Sequence, residues 1–332
     1  MPQFCRHNRL IQNCPICSRE QAVEPRPLVS SSAPRVSEPR RPASASPGRS
    51  PSAARGTRSP GVTVRRLRSA VDDGYRSPLV PGLKSSEEAT RLAEELAFAQ
   101  TRLRRLADAP PGLYAEVADH NGEIEERTWL AFLIAYLGPV EDEDPFASIR
   151  AARTTWASGE LPALDDVRVG PRGAHEPEHG TRTIEAYRAW ATRAGSQEVA
   201  LAGDAGWSAE RRFARTYERL ALPGLHRAAR FELLVSLGWL GVYELTPAAL
   251  QLGGDDLVTI AAKRALGIGD VILLERRSVQ LARECGLELA ALDLGFHNWE
   301  WDPAHPRATV GLAGDASPDP DVLSSVRAAL QV

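Results

Sequence analysis

Beyond residue 85, apolar residues recur three and four apart along most of the chain, and no stretch keeps the strict alternation of a half-buried strand. The pattern predicts an all-α body. Ser85 or Ser86, followed by a glutamate pair, opens a helix lined by Leu92, Leu96, Leu103 and Leu106, which Pro110-Pro111-Gly112 breaks. Ile124 to Leu137 is too rich in bulky side chains to face water, and Gly138-Pro139 ends it. Further helices are predicted from Phe146 through Trp156, Thr181 to Arg193, Ala209 to Leu220 and Leu222 to Leu237, with Pro223 in the first turn of the last. There His226, Arg227 and Arg230 form a polar stripe opposite Phe231, Leu234 and Leu237, fit to face either DNA or solvent. Residues 158–180 read as a loop; Pro177 keeps His175 and His179 off a shared helix face, so they read as exposed loop histidines.

The most complete device in the pattern runs from Asp255 to Trp301. Leu257, Ile260, Ala261 and Ala265 line one helix, Val271, Leu274, Leu281 and Cys285 a second, and Leu266-Gly267-Ile268-Gly269 joins them within residues 255–285. Without a Cβ at 267 or 269, the backbone at Gly267, Ile268, Gly269 and Asp270 can approach a phosphate at the positive end of the second helix, with Lys263 one turn away. Such a hairpin grips a DNA strand without reading its sequence. It equally fits an ordinary helical hairpin with a glycine C-cap. Asp293 then stands before Phe296, His297, Asn298, Trp299 and Trp301. Aromatic rings beside an acid suit a base swung out of its stack, and they also suit a packed final helix with Asp293 as its N-cap.

Charge divides the chain. Residues 19–68 hold eleven Arg against three Glu, while residues 69–332 hold 27 basic and 40 acidic side chains. A basic, Ser/Pro-rich arm, disordered by composition, thus precedes an acidic body. The arm offers salt-sensitive, sequence-independent attraction to phosphate; the body would have to gather its arginines locally to do the same. Lys84 and Lys263 are the only lysines, and this Arg bias with abundant Ala and Gly points to a high-GC bacterial genome. No apolar run approaches the ~18–20 residues that span a membrane, and no signal-peptide core opens the chain, so a cytoplasmic protein is expected.

Residues 1–20 place Cys5 and His7 ahead of Cys14-Pro-Ile-Cys17. A C-x-x-C pair with a second Cys/His pair can close a tetrahedral, structural zinc site and supply the folding energy a segment this short lacks. Free cysteines beside a coincidental histidine are the alternative. The expected division is a zinc knuckle at 1–20, a disordered linker at 21–84, a helical domain at 85–305 and a C-terminal extension at 306–332.

The hairpin AAKRALGIGD followed by ALDLGFHNWEW resembles the helix-hairpin-helix DNA glycosylase superfamily, and with CRHNRLIQNCPICSRE, the Arg-rich linker and ALPGLHRAARFELLVSLG the combination is more specific. Within that superfamily these segments are similar to the glycosylase-like proteins named for alpha-glutamyl and putrescinyl thymine pyrophosphorylases, over most of residues 85–301. The resemblance implies a helical glycosylase-like domain that flips a modified thymine in DNA and exchanges a pyrophosphate on its C5 methylene for a small amine. It implies Asp293 as the catalytic acid, although the hairpin-to-aspartate spacing is a few residues longer than usual and leaves Glu288 as a rival. Val271 stands where lyase-type members carry a Schiff-base lysine, which argues against strand cleavage. Two other functions stay open: a monofunctional glycosylase, and a non-catalytic DNA-binding protein. The base, the nucleophile and the oligomeric state are not readable from the chain.

Overall fold

The structure, a computed structural model, describes residues 71–301, 307–312 and 317–332, and among them all regular structure is helical. In order come α1 (Ser86–Asp108), α2 (Leu113–Ala118), α3 (Ile124–Leu137), α4 (Ala147–Ala152), α5 (Arg182–Ala194), α6 (Gln197–Ala202), α7 (Ala209–Arg219), α8 (Arg227–Trp239), α9 (Leu257–Leu266), α10 (Val271–Cys285), α11 (Leu289–Glu300) and α12 (Pro320–Leu330), with a 3-10 turn at Pro177–His179.

The Ser85 hydroxyl accepts the Glu88 amide at 3.4 Å and starts α1 as the capping pattern requires. α3 is apolar all round because it is enclosed: α2, α4, α6 and α8 all pack on it, and every side chain from Arg127 to Leu137 is buried. Trp129, Phe132 and Tyr136 stack along it, and Tyr187 of α5 lies 3.8 Å from the Phe132 ring centre. A second group forms around α1, against which α11 and α12 pack, with α9 on the far side of α11. The two groups meet where α1 touches α8.

Four sequence expectations need correction. The helix predicted to run to Trp156 stops at Ala152, and the Trp156 amide donates instead to Glu126 Oε2 at 2.8 Å. The helix predicted from Leu222 starts at Arg227, because His226 Nδ1 accepts the Ala229 amide at 3.3 Å and sets the cap there, leaving Pro223 in the preceding turn. Residues 71–84, assigned to the linker, are packed: Val80 and Leu83 are buried, and the Gly82 amide donates to the Ala265 carbonyl at 3.0 Å. A Cβ at Gly82 would lie 1.9 Å from the Arg264 carbonyl oxygen, so this strap can cross the end of α9 only as glycine. The stretch assigned to a C-terminal extension belongs to the same core, since Val326 and Leu330 of α12 are buried and the Tyr75 hydroxyl donates to the Leu330 carbonyl at 2.5 Å.

Candidate functional site

α11 begins one turn before Asp293. Glu288 occupies the N-cap position, exposed and without a side-chain cap bond, while its amide donates to Gln100 Oε1 at 2.8 Å. Asp293 is therefore neither the opening residue of the helix nor its cap. It points inward with 2% of its surface exposed, at the junction of the two helical groups.

Two guanidiniums hold it. Arg227, at the start of α8, donates to Oδ1, and Arg172, from the loop before α5, donates to Oδ2. Arg227 also reaches Asp256 Oδ1 at 2.9 Å and the Leu250 carbonyl at 2.7 Å, so the residue expected on a polar stripe is instead buried. Asp256 simultaneously caps α9 through the Val258 and Thr259 amides. Arg172 comes within 3.9 Å of Glu232, which pairs with Arg102 of α1 at 2.5 Å and accepts Ser236 Oγ at 3.0 Å. Arg102, Arg172 and Arg227 thus face Glu232, Asp256 and Asp293, and the centre is balanced in charge.

The loop delivers Arg172 through close backbone contact. Gly170 and Ala174 donate to the Leu137 and Tyr136 carbonyls at 2.9 and 2.7 Å, and a Cβ on Gly173 would stand 2.2 Å from the Leu137 oxygen. Here too an expectation is corrected: His175 is buried, its Nδ1 3.0 Å from the Tyr136 hydroxyl, whereas His179 is exposed beside Glu176. His226 closes the other side, its Nε2 at 3.0 Å from the Gly173 carbonyl. With Nδ1 accepting the Ala229 amide, this is the neutral tautomer protonated on Nε2.

Burial alone would raise the Asp293 carboxyl, but Arg227 and then Arg172 outweigh it and hold it below the usual carboxylate range. His297, one turn on along α11, is pushed down to about 3 by burial, with the Arg172 charge adding to the effect. It is neutral, and its ring stacks on Trp301 at 5.4 Å between centres. Several buried nitrogens here have no hydrogen-bond partner among the described residues: Arg172 Nε and Nη1, Arg102 Nε, His175 Nε2 and His297 Nε2. A cavity of about 10 Å³ touches Arg102, Phe231, Glu232 and Asp293. It has room for at most one water.

The expected base-stacking residues do not line an opening. Phe296 and Trp299 are fully buried; the Trp299 indole donates to the Glu88 carbonyl at 3.1 Å and Arg264 lies on its face at 3.8 Å. Both rings are core, and His297 faces the charge centre.

The hairpin joins α9 and α10 as the pattern predicts. Gly267 takes the left-handed conformation with φ 65°, and Ile268 is half-buried against the core. Gly269 is exposed with open space where a Cβ would project, and Lys263 is half-buried one turn before the turn itself. Asp270, expected to contribute its backbone to a phosphate grip, puts its own carboxylate at the N-terminus of α10, accepting the Leu273 amide at 2.9 Å. A carboxylate there competes with any phosphate. Val271, Ile272 and Leu273 follow it as exposed aliphatics.

Sequence reasoning singled out Asp293 and Arg227 but did not join them, and it did not name the other members of the cluster. Arg172, Glu232 and Arg102 lie on three separate segments, and the usable clue was Gly170-Pro-Arg-Gly173, an arginine bracketed by glycines in a loop otherwise read as surface. The proposed zinc ligands Cys5, His7, Cys14 and Cys17 and the basic arm lie outside the described residues. No described residues form a cluster suited to a metal ion, and no described helix is long and apolar enough to cross a membrane. The chain matches no family model, no curated protein and no solved structure.

Proposed function

We propose that this chain is a DNA-base-modifying enzyme whose chemical centre is Asp293, exchanging a pyrophosphate on the C5 methylene of a modified thymine for an amine. The observation that carries the proposal is the cluster of buried charges with unpartnered nitrogens around Asp293. An assembly of this kind costs several kcal/mol per ion to desolvate and is a poor way to gain stability, whereas active sites gather groups whose titration is shifted by burial and neighbouring charge. In the reaction the amine nitrogen bonds to the methylene carbon, the C–O bond breaks, pyrophosphate leaves with its electron pair, and the amine proton passes to solvent. Asp293, held ionised, is a weak base and a strong fixed charge, so its role is to orient the amine and to stabilise positive charge. The free Nε and Nη1 of Arg172 are donors for the oxygens of the leaving group. The cavity beside Asp293, lined by α1, α8 and α11, has room for only one water, so in this reading a base enters only after the packing of these helices opens. In this reading the arm and a structural zinc at residues 1–20 act as tethers to DNA.

The sealed centre favours a second reading, a non-catalytic DNA-binding protein in which the charges only join the two helical groups. Nucleoside mass spectrometry after incubating the full chain with DNA carrying pyrophosphorylated hydroxymethyluracil and a polyamine separates the readings. Amine-substituted thymine with released pyrophosphate is the expected product. Abasic sites with free base would make the protein a monofunctional glycosylase, and binding with neither product would make it a tether.

A further inference from the structure

The acidic body does gather arginines in one place. α7 buries Phe213, Thr216 and Tyr217 and turns Arg211, Arg215 and Arg219 outward at every fourth position. Its remaining arginine, Arg212, is buried, anchored on the Ala202 and Glu244 carbonyls, and does not join the stripe. Trp207, four residues before Arg211, lays its ring against Gly203, where a Cβ would stand 2.6 Å from the indole. Two guanidiniums of the stripe sit over that same indole, Arg211 at 5.7 Å and Arg219 at 5.1 Å from a ring centre. Beyond the helix end Arg230 lies on Tyr217 at 4.4 Å. Glu218 pairs with Arg215 at 3.0 Å, Glu210 and Asp204 are exposed beside Arg211 and Trp207, and Glu244 is exposed on Arg212.

We infer that the outer face of α7, Trp207 with Arg211, Arg215 and Arg219, is a binding surface for the DNA phosphate backbone. The inference rests on the proposal that the protein acts on DNA. It concerns a different element from the α9–α10 hairpin, whose tip carries its own carboxylate. Three physical points support it. The arginines span about 12 Å at 1.5 Å per helical residue, enough to follow roughly three phosphates at 3.4 Å of axial rise per strand. A guanidinium held over an indole at cation–π distance, as Arg211 and Arg219 are, can still turn N–H groups to phosphate oxygens, and the ring limits a side chain that otherwise loses much rotamer freedom on binding. The stripe also ends in the turn before α8, the helix on which α7 packs and which carries Arg227 to Asp293.

The test is fluorescence anisotropy of a labelled, unmodified DNA duplex with the full-length protein across a salt series. Arg211→Gln, Arg215→Gln and Arg219→Gln are combined in one variant. A control combines Arg104→Gln, Arg150→Gln and Arg153→Gln, exposed arginines in ion pairs elsewhere, and so makes the same change in net charge. The stripe variant should lose at least tenfold in affinity at low salt, and its log–log salt slope should fall by about 2–3, close to 0.9 per phosphate contact. The control should keep the wild-type slope, and Trp207→Leu should lie between. Equal slopes for the stripe variant and the control overturn the inference while wild-type binding leaves the DNA proposal standing. Failure of the wild type to bind removes both.

Discussion

Asp270 and Asp293 are two aspartates close to helix N-termini, yet they do opposite things. Asp270 stands in solvent at the cap of α10 and accepts one amide three residues away. Asp293 lies a turn inside α11, buried, and its two guanidinium partners come from 66 and 121 residues away along the chain. The first is local chemistry that any helix can use. The second exists only when three chain segments, the loop carrying Arg172, α8 and α11, have assembled, and its charges cost energy unless all are present. The difference separates what a helix terminus needs from what a buried charge needs: the hairpin motif is compact and reads locally, whereas the buried centre draws its members from distant segments.

If the buried centre is a mutually dependent unit, removing one member should be far more costly than any change at the hairpin. Arg227→Met leaves Asp293 with one guanidinium, takes the guanidinium from Asp256, which keeps its cap bonds, and leaves the Leu250 carbonyl without its donor. Urea unfolding should show a loss of about 3–5 kcal/mol, the range for breaking a buried pair from one side. Adding Asp293→Leu to Arg227→Met should then restore part of that stability, since it removes the uncompensated charge. A double variant no better than the single one would mean that the charges do not act together.

The next effect in size is a pH dependence confined to the centre. His297 titrates near 3 in the folded chain against an ordinary value of 6.5. Its contribution is therefore complete above pH 6.5 and is lost progressively as the pH falls toward 3, because the unfolded chain takes up the proton first. At pH 5 the loss should be roughly 2 kcal/mol, about 1.4 for each unit below 6.5. Asp293, also depressed, adds its own loss only below its ordinary 3.8. His297→Phe, which keeps a ring against Trp301, should flatten the profile between pH 6.5 and 4. An unchanged profile would move the titration elsewhere, with His226, also lowered by burial, next in line.

Smallest are the hairpin variants. Asp270→Ala should cost about 1 kcal/mol, as the loss of a cap does, and Asp270→Asn almost nothing. Ile272→Ser, on an exposed face, should stay within about 0.5 kcal/mol. Thermal unfolding resolves the first from the other two. A large loss for Asp270→Asn would show that its charge has a role beyond capping.

Much of the fold was legible because helices record their buried face at a fixed period. The apolar run at Ile124 to Leu137, the Ser85 cap and the glycine turn at Gly267 all report local geometry, and each stands where the pattern put it. Short helices such as α2 and α6 span too few turns to show a period. Residues 71–84 carry no helical period and so fall with the linker in the sequence, yet Gly82 is what the tight crossing over α9 requires. The centre was legible only at Asp293. An arginine that leaves the surface to meet a carboxylate looks, in a sequence, like any other arginine. In the pattern Arg172 falls in a loop and Arg227 on a polar stripe, and the aromatic residues after Asp293 suggest a pocket where the fold has packed core.

The packing of α1 also bears on synthesis. Arg91 in its second turn donates to the Trp299 carbonyl, 208 residues later, and the inner face of α1 is covered mainly by α11 and α12. At roughly 5–20 residues per second, that face waits on the order of ten seconds or more for its partners to leave the ribosome. For that interval Leu92, Leu96, Phe98 and Leu103, all buried in the finished fold, are exposed to solvent. The nascent chain is in that state a client for chaperones, and its yield on expression should depend on their supply before it depends on any single contact in the native state.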